Sequence, residues 1–345
     1  MIKENSDIST YVKKYFGEKN FEKISFKELK NGVNSNVYKV SKDKKQLILK
    51  IYPNKDFLRR DRIGNEYNFL NLLNKNGYTN IPQPIKWNFK KKWMLMTFLE
   101  GEFVKDIKNE HYEKLINFII EIQNLKKKTL VRTINNASEA CFSLADHYKS
   151  INYRTNVLNT KIESQNSLNK NNRETLALLV KKINSITELI YKNQLSDLSG
   201  SEFKNNIKTN QKILSQSDIG FHNIFENINH DLLFFDFEYS GWDDPGKLLS
   251  DLILHPDYNL PLTSYNLLDK YMYNCLLKNK YQLKRLKILL DIYRLKWVVI
   301  ILNPIFQYSN DESINEIAEL KLEKAKIFLD NSLLTIEHAK ELLRI

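Results

Sequence analysis

The sequence SQSDIGFHN at residues 215–223 and the sequence FDFE at residues 235–238 carry the clearest chemical pattern in this chain. An acid, Asp218, precedes an amide, Asn223, by five residues, and a second acid, Asp236, follows two apolar segments. Phosphoryl transfer from a nucleotide needs one group that takes the proton of the acceptor hydroxyl and two oxygen ligands that hold Mg²⁺. The order and spacing of these three side chains predict such a site.

The second acid is expected to lie at the end of a buried strand. Residues 223–226 and 232–235 are short and apolar and flank a turn at residues 229–231, which predicts a hairpin. A carboxylate directly after a buried strand is costly unless a cation or hydrogen-bond donors compensate it, and Mg²⁺ does so. Glu238 is expected on the same strand face as Asp236, where it can assist the metal. The alternative for Asp236 is an ordinary turn residue.

The first hundred residues predict a small lobe of antiparallel strands with one helix. Strand-like segments separated by turns run from residue 24 to residue 50, and two more are expected at 87–89 and 93–97. Apolar residues at helical spacing between residues 60 and 74 predict a single helix.

Lys50 ends one of these strands, and Glu66 lies in the middle of the predicted helix. This arrangement is expected of a lysine that contacts nucleotide phosphates and a glutamate that pairs with it. Gly32 lies in a polar turn in which main-chain N–H groups can approach phosphates without a side chain in the way. The alternatives are a solvated surface ion pair and an ordinary hairpin turn.

Helical periodicity dominates beyond residue 101, so the chain is expected to divide into lobes at residues 1–100 and 101–345. A second helix of this larger lobe is expected near residues 138–151. Residues 152–201 are polar and are interpreted as an additional helical insertion with loops. The predicted fold class is therefore α+β, with a small antiparallel sheet lobe and a larger, mainly helical lobe.

Composition narrows the class of protein. The chain has 345 residues with 53 Lys and Arg against 41 Asp and Glu, a formal net charge of +12, but the lysines are spread along the whole length. We therefore expect no nucleic-acid partner. The N-terminal residues are polar, no segment has the apolar length of a membrane span, and the two cysteines belong to no CxxC pair. A cytoplasmic protein without a membrane partner is expected.

Taken together, these motifs resemble the aminoglycoside phosphotransferase and choline kinase group of small-molecule kinases, which share a two-lobed protein-kinase-like fold. The resemblance spans most of the chain and implies that Asp218 is the catalytic acid, with Mg²⁺ as cofactor and ATP or GTP as phosphoryl donor. It implies a hinge at residues 96–101. The implied nucleotide-binding residues are Gly32, Asn34, Ser35, Asn36, Lys50, Glu66, Thr97 and Leu99, and the implied metal ligands are Asn223, Asp236 and Glu238.

One position departs from the pattern of the family. The family usually has a histidine two residues before the catalytic acid, and this chain has Gln216 there. Glutamine can replace the histidine as a brace of the catalytic loop through its own hydrogen bonds. The resemblance also implies that Asp251 braces this loop.

The predicted function is transfer of the γ-phosphoryl group of ATP or GTP to a hydroxyl of a small molecule such as a sugar, an amino sugar or an amino alcohol. Because of Gln216 and the sparse nucleotide loop, the alternative is a catalytically silent kinase-like protein that binds a nucleotide or a partner.

Overall fold

The computed structural model describes residues 6–19, 23–31, 35–53, 60–164, 167–196, 198–258, 265–276, 280–306 and 313–343. The chain divides into two compact units. Unit 1 comprises Met1–Asp106, Asn124–Ser138 and Gln216–Gly241, and unit 2 comprises Ile107–Gln123, Glu139–Ser215 and Trp242–Ile345. The predicted division into lobes at residues 1–100 and 101–345 stays a prediction. Residues 216–241 belong to the same compact unit as the N-terminal residues.

The main sheet of unit 1 has five antiparallel strands. In order of sequence they are β1 (Ser25–Asn31), β2 (Asn36–Lys42), β3 (Lys45–Ile51), β4 (Pro84–Asn88) and β5 (Trp93–Thr97). Their order in the sheet is β1-β2-β3-β5-β4, so the first three strands form the meander that the turn pattern predicted. The sheet and its register place Lys50 opposite Met94 of β5 and Val37 of β2.

Side chains alternate across β3, and this alternation separates the core from the site. Leu47 and Leu49 are buried in one hydrophobic core, whereas Lys50 belongs to the opposite face. Helix α1 (Ser6–Phe16) covers that core with Ile8, Val12 and Phe16. Helix α1 was not predicted from the sequence, although the spacing of four residues between these three apolar side chains is a helical pattern.

Helix α2 (Arg62–Asn74) confirms the predicted helix of the small lobe. It begins after Asp61, whose side chain accepts a hydrogen bond from the main-chain N–H of Gly64 at 3.1 Å. Such a cap satisfies an N–H group that has no partner inside the helix. The helix buries Glu66 together with apolar side chains that include Phe69 and Leu70.

A second sheet follows the order β6-β8-β9, with β6 (Glu102–Phe103), β8 (Ile224–Glu226) and β9 (Leu232–Phe234), and β7 (Ile213–Ser215) pairs with β10 (Gly241–Asp243). The hairpin of β8 and β9 confirms the prediction for this segment. The expectation that Asp236 and Glu238 share a strand face is wrong, because β9 ends at Phe234. Asp236 then takes a left-handed main-chain conformation, with φ of 63°.

Unit 2 is mainly helical. Its helices within the described residues are α3 (Asn109–Glu121), α4 (Leu144–Ser164), α5 (Lys170–Ile190), α6 (Gly200–Lys204), α7 (Pro245–Ile253), α8 (Tyr265–Tyr271), α9 (Lys280–Leu302) and α10 (Ile314–Leu343). Two of them, α4 and α5, occupy most of the predicted insertion at residues 152–201.

Helix α4 begins later than the expected residue 138. The Ser143 hydroxyl accepts a hydrogen bond from the main-chain N–H of Asp146 at 3.1 Å, which is the contact of an N-terminal cap. The cap explains why the helix starts at Leu144.

In the part of the chain that the structure describes, none of the helices is both long enough and apolar enough to cross a membrane.

Candidate active site

The hairpin of β8 and β9 brings two predicted metal ligands to the same end of a sheet. Asn223 directly precedes β8, and Asp236 follows β9 by two residues. The strands are antiparallel, so the start of one lies beside the end of the other. The main-chain N–H of Phe235 donates to the main-chain oxygen of Asn223 at 3.1 Å. Residues 13 apart in sequence therefore become neighbours in unit 1.

Asp218 lies on a tight turn that leads into this hairpin. Its main-chain N–H donates to the main-chain oxygen of Gln216 at 2.9 Å. The residue between them, Ser217, has a φ of 69°. A non-glycine residue in this conformation is strained and persists only where its surroundings hold it. The Asp218 side chain is 45% exposed, so its carboxylate is accessible to a reactant.

Two side chains from the same loop fix Asp218. Asn223 Nδ2 donates to the main-chain oxygen of Asp218 at 2.9 Å and lies 3.5 Å from its Oδ2. His222 Nε2 lies 3.4 Å from Oδ1. The interval of five residues thus gives Asn223 direct contact with the loop that carries the predicted catalytic acid.

Gln216 makes contacts that a brace requires. Its side-chain amide donates to the main-chain oxygens of Phe235 and Asp236, the second at 3.3 Å. These bonds join the loop of Asp218 to the loop of Asp236. They also hold Asp236 in its left-handed conformation, which has an energetic cost for a residue other than glycine. The replacement of the family histidine by glutamine therefore leaves a connection between the two loops.

Lys50 contacts Glu66, as the sequence predicted, and it also contacts Asp236, which the sequence did not predict. The Lys50 ammonium Nζ lies 2.7 Å from Glu66 Oε2 and 2.6 Å from Asp236 Oδ1. Glu66 is fixed in turn, because Tyr52 donates to Oε2 at 2.6 Å and the main-chain N–H of Phe237 donates to Oε1 at 3.1 Å. The alternative of a solvated surface pair is wrong, since both Lys50 and Glu66 are buried.

The charges around Lys50 determine its protonation. Burial alone would lower the pKa of Lys50, but attraction to Asp236, Glu66 and Glu238 outweighs burial and raises that pKa well above its usual value. Lys50 therefore stays protonated at any physiological pH. Burial also raises the pKa of the Tyr52 hydroxyl, which remains a hydrogen-bond donor to Glu66.

Glu238 is buried in the same group of charges. Its Oε1 accepts from Arg62 Nη1 at 2.7 Å, its Oε2 accepts from Ser35 Oγ at 2.7 Å, and Oε2 lies 3.2 Å from Lys50 Nζ. Glu66, Asp236 and Glu238 each offer an oxygen within 4.8 Å of the others. Lys50 contacts all three, so a cation at the centre of this cluster would have to displace its ammonium group.

The donor set fits Mg²⁺ better at the edge of this cluster. Asp236 is the most accessible of the three acids, with 22% of its side chain exposed, and its loop lies beside Asn223. Carboxylate and carboxamide oxygens are ligands that Mg²⁺ accepts. Among the ion pairs of the described residues, these three carboxylates contact Lys50 and Arg62, so acidic groups outnumber basic groups in the cluster.

The other predicted nucleotide-binding residues lie in sequence between β1 and β2, at the start of β2, and at or just after the end of β5. Gly32 and Asn34 lie outside the described residues, and Ser35 is buried beside Asn36 at the start of β2. The Thr97 hydroxyl accepts from the main-chain N–H of Gln83 at 2.9 Å, and Leu99 is half-buried after β5. The nucleotide-binding roles of all these residues stay predictions.

Asp251 lies in α7 of unit 2. Its Oδ2 is 3.5 Å from Lys247 Nζ and 3.6 Å from Lys296 Nζ, and its Oδ1 is buried without a hydrogen-bond partner among the described residues. These are ion pairs within unit 2, and the role of Asp251 as a brace of the catalytic loop stays a prediction.

Arg62 and Tyr52, which contact Glu238 and Glu66, were not predicted from the sequence. Arg62 follows the capping residue Asp61, and Tyr52 lies two residues after Lys50. Their positions beside the lysine and at the helix start are visible in the sequence. No spacing pattern predicts which carboxylates they contact.

A cavity of about 650 Å³ lies elsewhere, in unit 2. It is lined by residues 253–256 and by α10 side chains that include Phe328 and His338. None of the predicted site residues lines it, so size alone does not make it the place of the chemistry.

Comparison with known proteins agrees with this reading. Residues 25–140 match the sequence model of APH, the phosphotransferase enzyme family. No curated protein sequence matches the chain. The matched residues include Lys50 and Glu66, so the resemblance to this group of kinases is confirmed for that part of the chain, and the expected class of enzyme, a phosphotransferase, agrees with the family.

Solved structures extend the similarity along the chain. A choline kinase from Cryptosporidium parvum Iowa II is 12% identical with a TM-score of 0.56, covering 96% of this chain and 98% of that one. Spectinomycin phosphotransferase in complex with ADP and spectinomycin is 15% identical with a TM-score of 0.57 over 93% of each chain. The choline kinase LicA from Streptococcus pneumoniae is 13% identical with a TM-score of 0.54, covering 94% and 99%. This likeness confirms the predicted α+β, protein-kinase-like fold.

Proposed function

We propose that this protein transfers the γ-phosphoryl group of ATP or GTP to a hydroxyl group of a small molecule, such as a sugar, an amino sugar or an amino alcohol. The observation that carries the proposal is the contact of Lys50 with both Glu66 and Asp236, at 2.7 and 2.6 Å. Three residues from β3, α2 and the segment after β9 meet there in the arrangement that kinases use.

The geometry of unit 1 supports the proposed roles. Lys50 is buried and permanently charged, which suits it to contact nucleotide phosphates. Asp218 is accessible and held by Asn223, which suits it to orient the acceptor hydroxyl and take its proton as the oxygen bonds to the γ-phosphorus and the nucleoside diphosphate leaves.

Asn223 and Asp236 are the residues that would hold Mg²⁺. Bound there, the cation would neutralise negative charge on the phosphates. Lys50 already pairs with Asp236. The carboxylates of the cluster outnumber its basic groups, and this favours addition of a cation over replacement of the lysine.

The acceptor is proposed only as a class. Related folds include a spectinomycin phosphotransferase bound to ADP and choline and ethanolamine kinases, which supports ATP as donor and a hydroxyl acceptor. A cytoplasmic location and the absence of a nucleic-acid partner are part of this proposal and rest on the sequence.

The alternative of a catalytically silent protein is less well supported. Gln216 and the sparse nucleotide loop suggest this alternative, yet the amide of Gln216 connects the two loops that carry Asp218 and Asp236. The five motif residues Lys50, Glu66, Asp218, Asn223 and Asp236 are all present, and a silent relative has no reason to keep them together.

The test is a screen for phosphate transfer. Purified protein is given Mg-ATP or Mg-GTP with sugars, amino sugars, amino alcohols and nucleosides, and phosphorylated products are detected by mass spectrometry. We expect transfer to at least one class of acceptor, lost in Asp218→Asn and kept in Asp43→Asn, which makes the same change on an exposed turn. Nucleotide binding without transfer to any acceptor would support the silent alternative.

A further inference from the structure

Glu238 differs from Asp236 in how its oxygens are used. Both oxygens of Glu238 already accept short hydrogen bonds, Oε1 from Arg62 and Oε2 from Ser35, and the residue is 1% exposed. A metal ligand needs an oxygen directed at a site that an ion and its waters can enter. The contacts of Glu238 are instead those of a residue that fixes other side chains.

Arg62 depends on this carboxylate. It is the first residue of α2, where the helix dipole is unfavourable for a cation, and its side chain is buried. The ion pair with Glu238 at 2.7 Å compensates both costs. The Arg62 guanidinium also lies 5.2 Å from the centre of the Tyr239 ring, so the start of the helix is attached to the segment after β9 on two sides.

Ser35 connects the same carboxylate to the predicted nucleotide loop. It lies just before β2, directly after residues 32–34, and its hydroxyl donates to Glu238 Oε2 at 2.7 Å across 203 positions of sequence. The same oxygen is 3.2 Å from Lys50 Nζ. One carboxylate therefore contacts both the end of the loop and the lysine that are expected to bind phosphates.

We propose that Glu238 is a positioning residue for the nucleotide and not a ligand of the metal. It holds the end of the nucleotide loop, through Ser35, at a fixed distance from Lys50 and from the start of α2. This inference rests on the proposed function, because it assumes that a nucleotide binds at Lys50. In the sequence FDFE, Asp236 would then face the cation, and Glu238 would hold the groups that bind phosphate.

The two roles predict different dependence on magnesium. A positioning residue contributes to nucleotide affinity whether or not the cation is present, whereas a metal ligand contributes only the increment that magnesium adds. Glu238→Gln and Ser35→Ala should each weaken ADP binding by about tenfold, the size expected when a hydrogen bond to a charged group is lost. The ratio of affinities with and without Mg²⁺ should stay that of the wild type.

The experiment measures ADP binding by calorimetry with excess Mg²⁺ and with EDTA. It compares the wild type with Glu238→Gln, Ser35→Ala, the double variant and Asp236→Asn. Ser41→Ala, on the strand β2 that follows Ser35, is the control for loss of a serine hydroxyl. Thermal melting checks that each variant is folded. Ser35→Ala should have little further effect in the Glu238→Gln background, because the two residues act through one bond.

Several results would overturn the inference. One is a Glu238→Gln variant that loses the magnesium increment as Asp236→Asn does, and another is additive effects of the two single changes. If Glu238→Gln does not fold, Ser35→Ala decides: affinity lowered equally with and without Mg²⁺ supports the inference, and unchanged affinity refutes it. A wild type that binds no nucleotide would refute the proposed function itself, and this inference with it.

Discussion

The side-chain amide of Gln216 donates a hydrogen bond to the main-chain oxygen of Asp236 at 3.3 Å, and a second one to the oxygen of Phe235. Residues 20 positions apart are thereby joined where the main chain of Asp236 is strained, with φ of 63°. The position that departs from the family thus directly supports the residue expected to face the metal.

This relationship predicts the effect of changing Gln216. Gln216→Leu keeps the size of the side chain but removes both donors, so we expect kcat to fall by about tenfold, as two hydrogen bonds of ordinary strength are lost. Gln216→His restores one donor and should retain most of the activity. Steady-state kinetics with the acceptor found in the screen measure both variants, and full activity of Gln216→Leu would contradict the role of the amide.

Changing Glu66 should alter the magnesium requirement. In Glu66→Gln the Lys50 ammonium loses one of its three carboxylate partners and interacts more strongly with Asp236. We expect the concentration of Mg²⁺ that gives half-maximal activity to rise by about threefold or more, since removal of one partner redistributes a buried charge. Glu28→Gln, on the exposed part of β1, is the control and should match the wild type. An unchanged magnesium dependence would show that Lys50 and the cation do not share Asp236.

Phe237 links the site to the core of unit 1. Its ring is fully buried and stacks on Phe69 of α2 with ring centres 5.6 Å apart. Phe237→Ala should reduce the free energy of unfolding by about 3–5 kcal/mol, the usual cost of removing a buried aromatic ring. Urea unfolding measures this change, with Ile228→Ala as the control because Ile228 is 95% exposed. Equal effects of the two substitutions would contradict the packing described for Phe237.

Asp244 should give unit 2 a pH-dependent stability. Its buried carboxylate lies 2.6 Å from Arg285 and 3.4 Å from His147. Burial would raise the pKa of Asp244, but attraction to Arg285 and His147 outweighs it and lowers the pKa well below the usual 3.8. A lowered pKa means that the ionised group stabilises the folded protein at all pH values above 3.8 and that this stabilisation is lost as the pH falls further.

Asp244→Asn tests this expectation while keeping an acceptor for the cap of α7, where Asp244 accepts from the N–H groups of Gly246 and Lys247. At neutral pH the substitution should cost about 3–5 kcal/mol, because it leaves Arg285 buried without its charge partner. The difference from the wild type should stay constant down to pH 3.8 and shrink below it. Chemical unfolding at several pH values measures it, and a difference that already shrinks near neutral pH would contradict the assignment.

The strands, the helix α2 and the meeting of Lys50 with Glu66 were predictable because their patterns are local or have a known order along the chain. Helix α1 was legible from Ile8, Val12 and Phe16, but a short isolated segment gives no reason to expect a partner sheet. The end of β9 was not predictable, since the left-handed turn at Asp236 depends on hydrogen bonds from Gln216. The contact of Ser35 with Glu238 spans most of the chain, and no periodicity encodes it.

The composition of unit 1 from three separate pieces of sequence has a consequence for synthesis. A chain still attached to the ribosome and ending before Gln216 already contains Lys50 and Glu66 but lacks Asp236 and Glu238. At an elongation rate of about 5–20 residues per second, residues 216–241 are synthesised on the order of ten seconds after residues 1–106. During that interval Lys50 is hydrated or pairs with carboxylates other than Asp236 and Glu238, and unit 1 is incomplete. The nascent protein would therefore depend most on chaperones before residues 216–241 emerge.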